Sequence, residues 1–177
     1  MKILKKIIIA ILIIIAIPLV IALFVKKEYA VEREVVINKP EQEVFNYIKY
    51  LKNQDKFSVW SMTDPNMKKE YTGTDGTPGF IYAWDGNSDV GQGEMEITNI
   101  VENERVDIAL RFIEPMEGKG EAYLATQPVD AGSTKVKWHM HGESSYPMNF
   151  MNLFMDGMIG NTLDKSLHNL KDTLEKQ

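Results

Sequence analysis

Three potential metal ligands alternate in His139-x-His141-x-Glu143, and two carboxylates do the same in Glu94-x-Glu96. Residues two apart share one face of a β-strand, so the first trio could converge on zinc. The carboxylate pair could act as general acid and base if it stood in a cleft. Their neighbours argue for solvent in both cases. Lys135 and Lys137 share the histidines' face within TKVKWHMHG, which sets cations beside any incoming cation, so solvated histidines and no metal are expected. Glu94 and Glu96 alternate with Met95 and Ile97, the pattern of a charged outer face. His168 stands four residues from both Asp164 and Asp172, a spacing suited to pairing on a helix surface. Gly91-x-Gly93 and Gly118-x-Gly120 lead into strand-like runs, without the third glycine and the helix that a dinucleotide site needs. The chain contains no G-x-S-x-G, no H-E-x-x-H and no cysteine, so those hydrolase signatures, disulfides and thiol catalysis are all absent. No cofactor is implied.

The opposite strand faces carry the larger signal. Parity places Phe80, Tyr82, Trp84, Met95, Ile97, Val106, Ile108, Leu110, Phe112, Val136, Trp138 and Met140 inward. In GEAYLATQ both faces are comparably apolar, which leaves Tyr123 and Glu121 unassigned. Each inward residue alone reads as core. As a set, mixed aromatic side chains whose tyrosine and tryptophan tips want partners resemble the wall of a small-molecule pocket.

These residues need a sheet and a cover. AVEREVVI, from Ala30 to Ile37, is strand-like, and Asn38-Lys39-Pro40-Glu41 starts a short helix carrying Val44, Phe45, Ile48 and Leu51. QDKFSVWSMTDPNM is irregular or a second short helix. From about Lys68 to Glu143 the period becomes two, and turns such as Asp75-Gly76, Asp85-Gly86-Asn87, Glu102-Asn103-Glu104 and Asp130-Ala131-Gly132 divide it into six strands of an antiparallel meander. Ile159, Leu163, Leu167, Leu170 and Leu174 then recur at helical spacing in a long amphipathic helix. It is the one long element available to cover the sheet's apolar face.

Ahead of all this, residues 7–25 form an uninterrupted apolar run long enough, at about 1.5 Å per residue, to span a bilayer. It exceeds the core of a signal peptide and ends in Phe24-Val25-Lys26-Lys27, so it reads as an uncleaved, single-pass anchor in the cytoplasmic membrane. The expected organisation is a basic tail (1–6), the spanning helix (7–25), a tether (26–29) and one domain (30–177). Lys2, Lys5 and Lys6 against Lys26 and Lys27 give a slight bias toward an inside amino terminus and an extracytoplasmic domain. Those five lysines leave 15 basic residues against all 25 acidic ones, a net charge of −10 that disfavours nucleic acid.

VEREVVINKPEQEVFNYI, the GFIYAWDG to GQGEMEI hairpin, the PVDAGSTKVKW strand entry and the closing helix resemble the START-type, birch-allergen-like helix-grip superfamily, in particular its SRPBCC branch of polyketide cyclases, dehydrases and lipid-transport proteins. The resemblance covers Ala30 to about Glu175. It implies an α+β helix-grip fold, a curved antiparallel sheet of about seven strands (β-α-α-β6-α) around a long carboxy-terminal helix. It also implies a cavity between sheet and helix with its entrance near the start of that helix. The anchor sets this chain apart from the soluble members.

The expected activity is binding of a hydrophobic small molecule or lipid without chemistry. The alternatives are a cyclase or dehydratase, with Tyr82, Tyr123 or Arg111 as the groups to test, and a protein-interaction module. The expected cavity wall is Tyr82, Trp84, Met95, Ile108, Leu110, Phe112, Trp138 and Met140, closed by Met151, Phe154, Met155 and Met158 of the last helix. Met148, Met151, Met155 and Met158 are spaced 3, 4 and 3 apart, a stripe that reads as a deformable cavity wall loosened by Gly157 and Gly160, rather than as a membrane-touching face.

Overall fold

A computed structural model describes residues 2–176. An apolar helix, α1 (Lys2–Ala22), precedes β1 (Glu28–Ile37), α2 (Glu41–Ile48), a 3-10 turn (Leu51–Lys56) and α3 (Val59–Thr63). Six strands follow: β2 (Lys68–Thr72), β3 (Ile81–Asp85), β4 (Gln92–Val101), β5 (Arg105–Glu114), β6 (Gly118–Asp130) and β7 (Ser133–Glu143). A second 3-10 turn (Met148–Met151) leads into the long helix α4 (Asn152–Glu175).

All seven strands form one antiparallel sheet, in the order β1-β7-β6-β5-β4-β3-β2. The meander accounts for the β2-to-β7 neighbours, and β1 closes the order by pairing with β7. Register shifts near Gln92, Ile97 and Pro128 bend their strands, as bulges do. The inward face holds Phe80, Ile97, Val106, Leu124 and Val136, all buried. Against it lie Leu163, Leu167, Leu170 and Leu174 of α4, and Val44, Phe45 and Ile48 of α2. This is the helix-grip architecture.

α4 is fastened along β1. Glu175 accepts from the Asn38 backbone N–H at 2.7 Å, Lys171 Nζ donates to the Val36 carbonyl at 2.8 Å, and Arg33 holds Asp156 at 3.0 and 3.1 Å. Arg33 occupies an inward position of β1, between Val31 and Val35, at the sheet's edge. Its guanidinium reaches Asp156 across Gly160, where a β-carbon would collide with it. Gly160 therefore serves close approach rather than loosening a wall. Gly157, by contrast, faces open space.

The apolar helix begins and ends earlier than residues 7–25, and β1 starts at Glu28 rather than Ala30. Apolarity marks what can lie in lipid, whereas the helix also runs through the flanking lysines. Its far end is set by a side chain of the domain: Asn149, buried, donates to the Ala22 carbonyl at 2.7 Å and to that of Val25 at 2.8 Å. Asn152 donates likewise to Lys26 and Lys27 at 3.0 and 2.7 Å. The last carbonyls of a helix lack intrahelical partners; here the Leu23 and Phe24 N–H groups donate to those of Val20 and Ile21, and the domain's Asn149 to that of Ala22. From Ile3 to Ile17 the α1 side chains are exposed, and Ile3–Ala22 is long and apolar enough to cross a membrane.

The two glycines of α4 should respond oppositely to alanine. Gly157→Ala should stabilise by about 0.5–1 kcal/mol, the ordinary helical gain. Gly160→Ala should give no gain, and should recover it in an Arg33→Ala background. Urea denaturation of the four variants measures this, and a gain for Gly160→Ala alone would refute the close-approach account.

Candidate ligand cavity

The inward faces of β3 to β7 do not all reach α4. Between them and the segment 51–63 lies a cavity of about 270 Å³. The sheet supplies Tyr82, Trp84, Met95, Ile108, Leu110, Phe112, Ala122, Trp138 and Met140. β1 adds Tyr29, α4 adds Ile159, and the loops add Met67 and Val90. Gln54, Ser58, Trp60 and Ser61 come from the 3-10 turn and α3. Aromatic packing stiffens the wall. Trp84 meets Phe112 edge-on at 6.2 Å, and Trp138 meets Phe57 at 5.9 Å. Trp84 lies across its cross-strand partner Gly93, which has no β-carbon to obstruct it.

Parity thus brings together the eight strand residues expected in the wall, from Tyr82 to Met140. The helix residues fall elsewhere. Met155 packs half-buried against the core, and Met151 sits half-buried in the 3-10 turn. Phe154 and Met158 are 48% and 57% exposed. The 3, 4, 3 spacing describes an arc, but the leucines fix which arc is buried. Ile159, one turn before Leu163, faces the cavity, and Met158 is rotated about 100° away from it. The stripe is also not one helix, since α4 begins only at Asn152.

Two polar features interrupt the apolar wall. Tyr82 is buried and donates to Asp55 Oδ1 at 2.9 Å, and Lys69 Nζ lies 2.9 Å from the same oxygen. Burial, and then the Asp55 carboxylate beside it, hold the Tyr82 phenol protonated far above the usual tyrosine range. Gln54, 4% exposed, turns an Nε2 that has no hydrogen-bond partner among the described residues. An unmade hydrogen bond at a buried donor costs roughly 1–3 kcal/mol. Nothing in the sequence singled out Gln54, Ser58 or Ser61, because the segment is irregular and has no period to read. Its signal was a polar residue between two helix-like runs.

The outer face holds the remaining candidates. Tyr123 points outward, donates to Glu32 at 3.0 Å, stacks on His139 at 4.8 Å and carries Arg105 over its ring at 4.4 Å. Glu121 is exposed. His139 is half-buried beside Glu32 rather than freely solvated, since Tyr123 covers it. Burial raises the Glu32 carboxyl, but the hydrogen bonds from Tyr123 and Lys137 outweigh this and lower it. Arg111 pairs with Glu94 at 2.8 Å, away from the cavity. Of Tyr82, Tyr123 and Arg111, Tyr82 alone borders the cavity. No group of three His, Asp or Glu among the described residues is arranged to hold a metal ion.

A family model described as polyketide cyclase/dehydrase and lipid transport matches residues 29–175. No curated protein matches the sequence. Among solved structures, norcoclaurine synthase from Thalictrum flavum, in complex with dopamine and hydroxybenzaldehyde, is 10% identical with a TM-score of 0.65, over 85% of this chain and 88% of that one. Ara h 8.0201 is 15% identical with a TM-score of 0.57, over 85% and 99%. A protein from Chromobacterium violaceum is 12% identical with a TM-score of 0.59, over 82% and 96%. At such identities the likeness is one of fold.

The Tyr82 environment predicts a pH effect. The folded chain keeps the phenol's proton above pH 10 whereas the unfolded chain releases it, so stability from this group is complete below about pH 10 and falls as pH rises further. Urea denaturation between pH 9 and 11 should show a steeper loss for the wild type than for Tyr82→Phe. Parallel curves would refute it.

Proposed function

The chain belongs to the polyketide cyclase/dehydrase and lipid-transport family, and from that membership and its cavity we propose a membrane-anchored binding protein that holds a compact hydrophobic molecule, or one end of a lipid, without transforming it. The observation that carries the reading is the Gln54 side-chain amide, whose Nε2 has no hydrogen-bond partner among the described residues, in a wall that is mainly apolar and aromatic. Such a site selects an apolar molecule bearing one hydrogen-bond acceptor, a carbonyl, ether or hydroxyl oxygen. At about 270 Å³ the cavity lies near the lower end of small-molecule sites, which span roughly 300–1,000 Å³. It suits a one- or two-ring compound or a short acyl segment.

α1 serves as a single-pass anchor in the cytoplasmic membrane, with residues 30–177 as the ligand-holding domain. Lys2, Lys5 and Lys6 before the apolar run favour an inside amino terminus and a domain outside. The partners are then the hydrophobic ligand and the bilayer, and the acidic domain is unsuited to nucleic acid.

A second reading, an enzyme of the cyclase or dehydratase type, draws on the Tyr82 phenol in the wall. Proton transfer works best from a group whose pKa lies near the working pH. Tyr82 is displaced the other way and already spends its proton on Asp55. Its observed arrangement therefore favours binding.

The test uses the full chain in phosphatidylcholine nanodiscs and prodan, a two-ring ketone fluorophore, excited by energy transfer from the cavity's tryptophans. Saturable sensitised emission above empty nanodiscs is expected. Ala122→Phe, which fills the cavity at roughly 1–3 kcal/mol of overpacking, should abolish it while circular dichroism stays unchanged. Gln54→Met should weaken prodan about 3–10-fold and leave the ketone-free 2-dimethylaminonaphthalene unaffected. Absence of saturable binding by either probe would overturn the reading.

A further inference from the structure

Strand register fixes which parts of the molecule share an end. Glu28 of β1 pairs with Glu143 of β7, Gly142 with Gly120, Phe112 with Gly118, Gln92 with Glu114, and Asp85 with both Gln92 and Lys68. The start of β1, the loops 86–91 and 115–117, and the start of α4 therefore lie together at one end of the sheet. α1 arrives at this same end, and there Asn149 holds the carbonyls of Ala22 and Val25 and Asn152 those of Lys26 and Lys27. Large apolar side chains cluster here in the open: Met116, Met148, Leu153, Phe154 and Met158, each about half exposed or more.

The cavity opens in the same direction. Its fully buried wall, Tyr82, Ile108 and Trp138, lies deeper in the sheet. Its half-buried lining residues include Tyr29, Trp84, Val90 and Phe112, each in the last turns of strand or loop at the α1 end. Resting on the reading that α1 spans a bilayer, we infer that this end of the domain lies on the membrane surface, with Met116, Phe154 and Met158 dipping into the boundary between headgroups and acyl chains and the cavity mouth facing lipid. The ligand then passes between bilayer and cavity without crossing water. The tether permits nothing remote, because five residues separate Ala22 from Glu28 and two buried or half-buried asparagines bind that stretch to the domain.

The contact is apolar rather than electrostatic. Glu28, Asp85, Asp89, Glu114, Glu117 and Glu143 stand at this end against Lys26, Lys27, Lys68 and Lys119, so anionic headgroups gain nothing. The opposite end presents the charged turns Glu102-Asn103-Glu104 and Asp130-Ala131-Gly132, with Val129 exposed beside the second.

The cysteine-free chain allows single labels. Met116→Cys, Phe154→Cys and Met158→Cys, with Val129→Cys at the far end and Ile13→Cys within α1 as references, carry bimane in the full chain, reconstituted in phosphatidylcholine nanodiscs. Brominated phosphatidylcholine should quench bimane at 116, 154 and 158 at least twofold more than at 129, with iodide giving the reverse order. Neither 0.5 M salt nor anionic lipid should strengthen the difference. Strong bromolipid quenching at 13 with iodide-accessible labels at 154 and 158 would leave the anchor standing and overturn the inference. Labels at 154 and 158 shielded from both quenchers would mean that a second protein chain covers the collar, which also overturns it. Failure of quenching at 13 would remove the span and the inference together, whatever prodan binding shows.

Discussion

The structure turns on a mismatch of widths. Seven strands at about 4.8 Å spacing make a sheet roughly 29 Å across, whereas a helix with its side chains is about 10 Å wide. One helix cannot cover the apolar face. α4 takes the β1 side, where its leucines pack and where Arg33, Lys171 and Glu175 fasten it. α2 lies over β6 and β7, the 3-10 turn reaches β2 and β3 through Asp55, and this segment joins α4 by the Val59 N–H donating to Ser166 and by Asn169 donating to the Phe57 carbonyl. Where the two covers meet imperfectly, the sheet's own aromatic residues face a void. The cavity is thus a residue of how the face is covered, and every strand that lines it also forms part of the core.

Chemically the two faces of the sheet are segregated. Outside, Glu32 accepts from Lys137 and Tyr123, Tyr123 stacks on His139, and Arg105 lies over the Tyr123 ring and pairs with Asp107. Inside, the ionisable groups that line the void are the phenols of Tyr29 and Tyr82; burial holds both protonated above the usual tyrosine range, and at Tyr82 the Asp55 carboxylate adds to it. A ligand there would meet aromatic edges, the Ser58 and Ser61 side chains and the amide of Gln54.

How much of this could be read from the sequence depended on local regularity. Alternation of period two placed Tyr82, Trp84, Met95, Ile108, Leu110, Phe112, Trp138 and Met140 on one face, because a strand leaves a side chain only two choices. A helix offers a continuum of angles. The methionine spacing was compatible with several arcs, and only packing of Leu163 and Leu167 against the sheet decided that Ile159 rather than Met158 turns inward. The segment 51–63 had no period at all, so Gln54 was invisible until its surroundings were known. In β1, Arg33 broke the apolar alternation, and its reason lay in Asp156 and Gly160, more than a hundred residues away. GEAYLATQ resolved only when its pairing with β7 set Tyr123 beside His139.

The asparagine cap at the end of α1 has a mechanical consequence. A helix in a bilayer of the wrong thickness relieves the mismatch chiefly by tilting, and an ordinary flexible linker would absorb that rotation before it reached the next domain. Here the Ala22 carbonyl at the helix end and the Val25 carbonyl just past it are seated on Asn149, and those of Lys26 and Lys27 on Asn152, so the joint behaves as a bracket instead of a hinge. Any lean of the helix is transmitted to the sheet as a rigid-body rotation. On the proposed reading of α1 as a bilayer-spanning helix, membrane thickness thereby becomes a variable that sets the attitude of the whole domain.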